Sequence, residues 1–452
     1  MEKIIVDSSK VMGKIRPLHG VCNVPWESVT EELERNYIKD YEEAGVPICR
    51  YHDQGGRYGG GAYVDIPNIF RNFDADENDP ANYDFTFTDF LVKRCIEHGV
   101  QVLYRLGITI ENDNFLKHYH TDPPKDYNKW ARICEHIIAH YNEGWADGFK
   151  YNIIYWEIWN EPEVRCAYAR SGDEQMWNGT DEQYWELYKV TATHLKERFP
   201  YIKVGGYSSI GLYEVVRASI SPSQNVDHSP NKLFNCFHGF LKYLTKDGKK
   251  VPLDFFSWHS YHTKPTDNSI MSVYIKTQLK LYGYPECENI NDEWNPNITL
   301  RGKLQDCANV AANILSYQKN MLDMATYYAI SRLNSNYNGW YHPYTGERLK
   351  TYYVFKGFNQ LYRLENELES YCSNENIYVG AAKKDNKLCL MIANYDGGDT
   401  KVDIEIKNFG ATKAKMNCID KDSWYDEVIL DGKDNLTIEL PKHAVYVLTF
   451  EK

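Results

Sequence analysis

The sequence has no paired-cysteine pattern, no long apolar run and no excess of positive charge. Its eleven cysteines are odd in number, spread from Cys22 to Cys418, with no C-x-x-C pair and no Cys/His cluster at zinc spacing. Buried, reduced thiols are therefore expected rather than a disulfide framework or a structural metal site. No stretch of about 18 apolar residues occurs, and the opening MEKIIVDSSKVMGKIRP lacks the apolar segment of a secretory signal. Neither a membrane-embedded protein nor a secreted one is expected, which points to the cytoplasm. A formal net charge of -12 with no Lys/Arg cluster opposes a nucleic-acid partner, because phosphate binding needs concentrated positive charge. The first β-like run is followed by HGVCNVPW rather than G-x-G-x-x-G, so a dinucleotide-binding turn is not expected.

What is present is length, alternation and aromatic residues. A chain of 452 residues with 43% hydrophobic content can bury a large core and carry a smaller second domain. Short β-rich runs alternate with longer amphipathic helical stretches, as in βα units around a parallel sheet. Eight strand candidates are read at 15–23, 47–53, 100–108, 151–160, 202–210, 253–262, 287–296 and 324–332. The stretches between them, such as DEQYWELYKVTATHLKERFP, open near Thr, Asp or Asn and close at Gly or Pro, as helix ends do. Eight such pairs predict a (β/α)8 barrel over 15–369. After about residue 370 the texture becomes short alternating runs such as TKVDIEIKNF and AVYVLTF between polar turns, predicting an antiparallel β-sandwich over 370–452. Residues 1–14 are read as a strand joining that sandwich.

Two strands end unusually. YWEIWNEPE (155–163) is apolar until Asn160-Glu161-Pro162, and ENINDEWNP (288–296) ends on Glu293 before Trp294. Side chains at the C-terminal ends of barrel strands face the active-site mouth, so both acids are expected there. Glycosidic bond cleavage needs such a pair: one acid protonates the leaving oxygen while the other carboxylate attacks, or activates water at, the anomeric carbon. Facing strands of a narrow barrel favour the separation of about 5 Å used in retention of configuration. A carbohydrate is the expected partner, with no metal and no cofactor; exposed tyrosines, among 37 in all, leave a homo-oligomer open.

The combination of WNEP and DEWNP resembles the clan A glycoside hydrolases, and within them glycoside hydrolase family 39, which includes β-xylosidases and α-L-iduronidases. HGV on the first strand, Arg50-x-His52 on the second, His259-x-Tyr261 on the sixth and the accessory sandwich fit the same family. The resemblance implies that Glu161 is the acid/base, Glu293 the nucleophile, and Asn160 the partner of the sugar 2-hydroxyl. His259 and Tyr261 are then expected to donate to Glu293, Arg50 and His52 to bind substrate or steady the nucleophile, and Trp294 and Trp340 to stack on sugar rings, with Trp26 a further wall. The family's Trp at the end of the eighth strand is absent from YYAISRLNSN. The implied activity is that of a retaining exo-glycosidase, a β-D-xylosidase first. Other β-glycosides, α-L-arabinosides or uronides are the alternatives, and a silent carbohydrate-binding protein the non-enzymatic one.

Overall fold

The computed structural model describes residues 2–24, 37–52, 64–108, 121–163, 176–216, 231–246, 248–330, 337–431 and 434–452. The chain starts with β1 (Glu2–Lys14). Eight parallel strands follow: β2 (Gly20–Cys22), β3 (Ile48–Tyr51), β4 (Gln101–Leu106), β5 (Tyr155–Ile158), β6 (Lys203–Ser209), β7 (Phe255–Ser260), β8 (Glu288–Trp294) and β9 (Met324–Tyr327). They close in sequence order into a barrel, β9 pairing back onto β2 through Gly20↔Thr326 and Val21↔Tyr327. The closing seam needs glycine: a Cβ on Gly20 would lie 2.8 Å from the Ala325 carbonyl oxygen and 2.9 Å from the Ile48 side chain. All eight expected strands are present, each within its expected range.

Helices between the strands cover the barrel. Asp181–Arg198 begins with a capping box, Thr180 accepting from the Gln183 amide while the Gln183 side chain accepts from the Thr180 amide. Such a cap is worth about 1 kcal/mol and fixes where the chain turns after β5.

The chain then forms β10 (Asn366–Cys372), β11 (Ile377–Lys384), β12 (Lys387–Asn394), β13 (Thr400–Lys407), β14 (Lys413–Ile419), β15 (Trp424–Leu430), β16 (Asn435–Leu440) and β17 (Val445–Glu451). With β1 they make one nine-stranded sheet in the order β15-β14-β17-β12-β11-β10-β1-β13-β16. It curls around its own apolar core, in which Ile4 and Val6 of β1 meet Leu390, Ile404 and Leu448. The sheet is antiparallel except between β1 and β13, so the expected sandwich is a single curled and mostly antiparallel sheet. Its other face packs on helices Leu304–Gln318 and Lys350–Leu364: Met391, Ala393 and Val447 share a core with Leu315, Phe355 and Phe358.

The barrel interior is layered. Inward positions recur every second residue along a strand. Near the strand starts they are apolar, Ile48, Leu103, Phe255, Ile290 and Met324 forming one cluster with Tyr155. Two residues further on, the same strands carry Arg50, Arg105, Ser257, Asp292, Thr326 and Glu157, all fully buried. This change from a hydrocarbon floor to a charged layer marks where the mouth begins.

Candidate active site

Arg50 organises the charged layer. Its guanidinium lies 2.8 Å from the Glu157 carboxylate, 2.9 Å from Asp292 and 3.1 Å from Glu293, with all four side chains buried. Nη2 also donates to Asn160 Oδ1 at 2.7 Å and to Ser208 Oγ at 2.6 Å. Of the roles expected for Arg50, the geometry favours bridging the carboxylates and steadying Glu293 over binding substrate: every nitrogen of the guanidinium meets a protein acceptor. Buried acids compete for this one cation and settle differently. Burial pushes Glu157 up to about 8 despite the pull of Arg50. Burial would also raise Asp292, but Arg50 and His259 outweigh it and hold that carboxyl down to about 2.

Asp292 and Glu293 are neighbours, yet both reach Arg50. The cause is a bulge: β7 and β8 pair as Trp258↔Asn291 and then His259↔Glu293, leaving Asp292 as an extra residue. A bulge re-aims side chains at a sheet end, here giving two consecutive acids an inward direction. Tyr261 donates its hydroxyl to Glu293 Oε1. Burial, reinforced by Glu161, pushes Glu293 up to about 7 against His259, Arg50 and Tyr261, which favour the carboxylate.

Glu161 stands on the turn after β5 with φ of 45°, its amide donating to the Ser208 carbonyl at 3.0 Å. His259 lies between the strand-end acids: Nδ1 is 2.5 Å from Glu161 Oε1, and Nε2 is 2.5 Å from Ser208 Oγ and 3.6 Å from Glu293. Its expected hydrogen bond to Glu293 is thus made to Glu161 and Ser208 instead. Burial alone would lower the His259 pKa, but Glu293, Asp292 and Glu161 more than reverse it, so it is raised well above the ordinary value. Ligand atoms of Glu161, His259 and Glu293 all lie within 4.8 Å of one another. The trio has the donors to hold a divalent cation, although its members already hydrogen-bond to protein partners. The Glu161 side chain is 12% exposed and that of Glu293 4%, so the former is the more open to the mouth.

Asn160 is buried, its oxygen held by Arg50, while Nδ2 has no partner among the described residues. His52 is also buried, with Nε2 likewise unpartnered among the described residues. Trp294 and Trp340 do not face the site. The alternation that turns Glu293 inward turns Trp294 outward onto Tyr317 and Tyr327, and Trp340 packs among Tyr41, Tyr352 and Phe355. Both are fully buried and offer no platform. Trp26 lies outside the described residues. The aromatic group beside Glu293 is made of Tyr261, Tyr328 and Tyr337, with ring centroids 5.3 to 6.5 Å apart.

Sequence reasoning missed Glu157, Asp292, Ser208 and a further acid, Glu163. Glu157 had a signal, since it sits four positions before Glu161 and alternation turns it inward; Asp292 lies two past inward Ile290, but alternation does not allow it and Glu293 to face inward together.

The model of glycosyl hydrolases family 39 matches residues 2–339. The chain belongs to glycosyl hydrolases family 39. A beta-xylosidase of Caldicellulosiruptor saccharolyticus is 26% identical over 278 residues, covering 59% of this chain and 46% of the relative. A beta-xylosidase of Geobacillus stearothermophilus is 24% identical over 231 residues, covering 49% and 40% respectively. The matched region thus spans less than half the length of these relatives. A glucosidase structure from Croceicoccus marinus superposes with a TM-score of 0.78 at 19% identity over 100% of this chain and 99% of that one. That likeness extends the shared fold to the barrel and the curled sheet together.

Proposed function

We propose that the chain is a retaining glycosidase working by double displacement, with Glu293 as nucleophile and Glu161 as acid/base. The carrying observation is that oxygens of these two acids, from facing strands, lie within 4.8 Å of each other. Oxygens this close support the short carboxyl separation, about 5 Å, at which one carboxylate reaches the anomeric carbon directly. In the first step Glu293 attacks that carbon while Glu161 gives its proton to the leaving oxygen. In the second, Glu161 takes a proton from water, which displaces Glu293. His259 Nδ1 lies 2.5 Å from Glu161 Oε1, so the ring holds that carboxyl group in place for the acid step. Arg50 and Tyr261 steady the carboxylate charge of Glu293 before it attacks and again as water displaces it. The unpartnered Asn160 amide is suited to donate to the sugar 2-hydroxyl.

The β-xylosidase relatives favour a β-D-xyloside as substrate, cleaved from the chain end. A neutral glycone is further supported by Arg50, whose guanidinium is taken by three acids. Arg332, a candidate for a uronide carboxylate, lies outside the described residues. Tyr328 and Tyr337 take the place of the stacking tryptophans.

The test is hydrolysis of a panel of p-nitrophenyl glycosides by wild type, Glu161→Gln and Glu293→Gln. Nitrophenolate leaves with little protonic help, so Glu161→Gln is expected to keep part of its glycosylation rate while Glu293→Gln loses nearly all. Equal loss in both variants, or a panel in which no sugar is cleaved, contradicts the assignment.

A further inference from the structure

A buried chain of contacts outside the carboxylate cluster carries one more role. Asp65, at the turn into helix Ile66–Ile69, accepts from Arg105 Nη2 at 2.6 Å, both side chains fully buried. Arg105 in turn donates Nη2–H to the His52 carbonyl and Nε–H to His52 Nδ1 at 3.3 Å. An arginine nitrogen is always a donor, because the guanidinium does not lose its proton in proteins. The ring nitrogen facing it must therefore be the lone-pair nitrogen.

We propose that Arg105, held by Asp65, is a positioning residue that locks His52 as the neutral tautomer with its proton on Nε2, making that ring edge a fixed hydrogen-bond donor to a sugar hydroxyl oxygen. Two observations agree. His52 Nε2 is buried without a partner among the described residues, so a donor is held ready there. The groups facing the ring also oppose a second proton: burial first, then the cations Arg50 and Arg105 and the nearby His259 together lower its pKa well below the ordinary value. Asp65 is ion-paired to Arg105 at 2.6 Å, and Glu157, Asp292 and Glu293 are ion-paired to Arg50. Neutral, single-tautomer imidazole is what remains. Only the identity of the acceptor rests on the glycosidase reading; the tautomer does not.

The test is a 15N–1H long-range correlation spectrum of the substrate-free chain labelled at histidine, with His52→Gln used to identify the signal. The expected result is a neutral ring protonated at Nε2 throughout the range from about pH 5 to 8 in which ordinary histidines titrate. A ring protonated at Nδ1, or an imidazolium in that range, overturns the proposal. Arg105→Lys keeps a cationic donor and is expected to keep the tautomer, whereas Arg105→Gln is expected to release the ring into a mixture; a pure Nε2–H ring in Arg105→Gln also overturns it. Should Arg105→Gln not fold, Asp65→Asn, which weakens the hold on Arg105, is read in the same way. Where a cleaved glycoside is in hand, kcat/KM is expected to drop about tenfold in Arg105→Gln, the scale of one misdirected hydrogen bond, and to recover in part in Arg105→Lys. A chain inactive on every glycoside contradicts the proposed activity and leaves the spectrum to decide this point by itself.

Discussion

At the scale of single residues, the site is governed by how few cations serve how many acids. Glu293 must be ionised to attack, yet burial pushes it up to about 7. Tyr261 is one of the donors resisting that rise. Removing its hydroxyl disfavours the carboxylate, raises the pKa, and so moves the acid limb of the activity profile to higher pH. We expect Tyr261→Phe to show this shift in kcat/KM measured against pH, where the free enzyme's ionisations are read; an unmoved limb with a lower plateau points to a purely steric role. Arg50 is less replaceable. Its loss leaves Glu157, Asp292 and Glu293 facing one another without a counter-charge, and breaking a buried pair in this way costs roughly 3–5 kcal/mol. Arg50→Met is expected to be inactive and visibly less stable in a urea titration, and near-wild-type stability contradicts the role given to it.

At the scale of elements, the ends of β5, β6 and β8 carry the chemistry and the irregularity together. Glu161 and Ser208 both take positive φ, and the two turns are tied by Glu161 N to the Ser208 carbonyl and by Ser209 Oγ and Ile210 N to Glu163 Oε1. Burial pushes the Glu163 carboxyl up to about 8 from an ordinary 4.5. A carboxyl raised on folding stabilises the fold fully below its unfolded value and loses that contribution as pH rises through the folded one. Wild-type stability is therefore expected to decline between about pH 4.5 and 8, and Glu163→Gln, which keeps the shape and cannot ionise, to decline less; identical slopes contradict it. The strands themselves were legible in the sequence because β-rich runs and capped helices alternate through the chain. The bulge at Asp292 was not, since it breaks the period-two rule by which strands are read. Trp294 was readable and misread: its alternation with Glu293 already directs it outward. The strands β10, β14 and β15 were missed: β10 straddles the expected boundary at 369/370, and KAKMNCI and WYDEVIL do not alternate cleanly, the latter lying exposed at the sheet edge.

At the scale of the whole molecule, the curled sheet and the barrel share structure and do not merely adjoin. The strand β1 belongs to the sheet while the next residues lead into the barrel, and that passage is pinned: Arg16 Nη2 donates to the Tyr317 carbonyl at 2.9 Å, and Gln318 Nε2 to the Lys14 carbonyl at 3.0 Å. Helix Leu304–Gln318 lies between the two units, buried from Asp306 onward. We expect one cooperative unfolding transition by calorimetry, and two separable transitions contradict a shared core. Composition set the size, and the alternation of elements set the barrel; the identity of the sugar was beyond both, because it depends on which donors are left unpartnered at the mouth.

The central claim, attack by Glu293, is tested most directly by trapping. An activated 2-deoxy-2-fluoro-β-xyloside slows both steps by withdrawing charge from the oxocarbenium-like transition state, and its good leaving group restores the first, so the covalent intermediate accumulates. Peptide mapping by mass spectrometry is expected to find one fluorosugar on Glu293, and none in Glu293→Gln. A label on Asp292, Glu157 or Glu161 instead, or turnover of the parent glycoside with no trapped ester, contradicts the assignment.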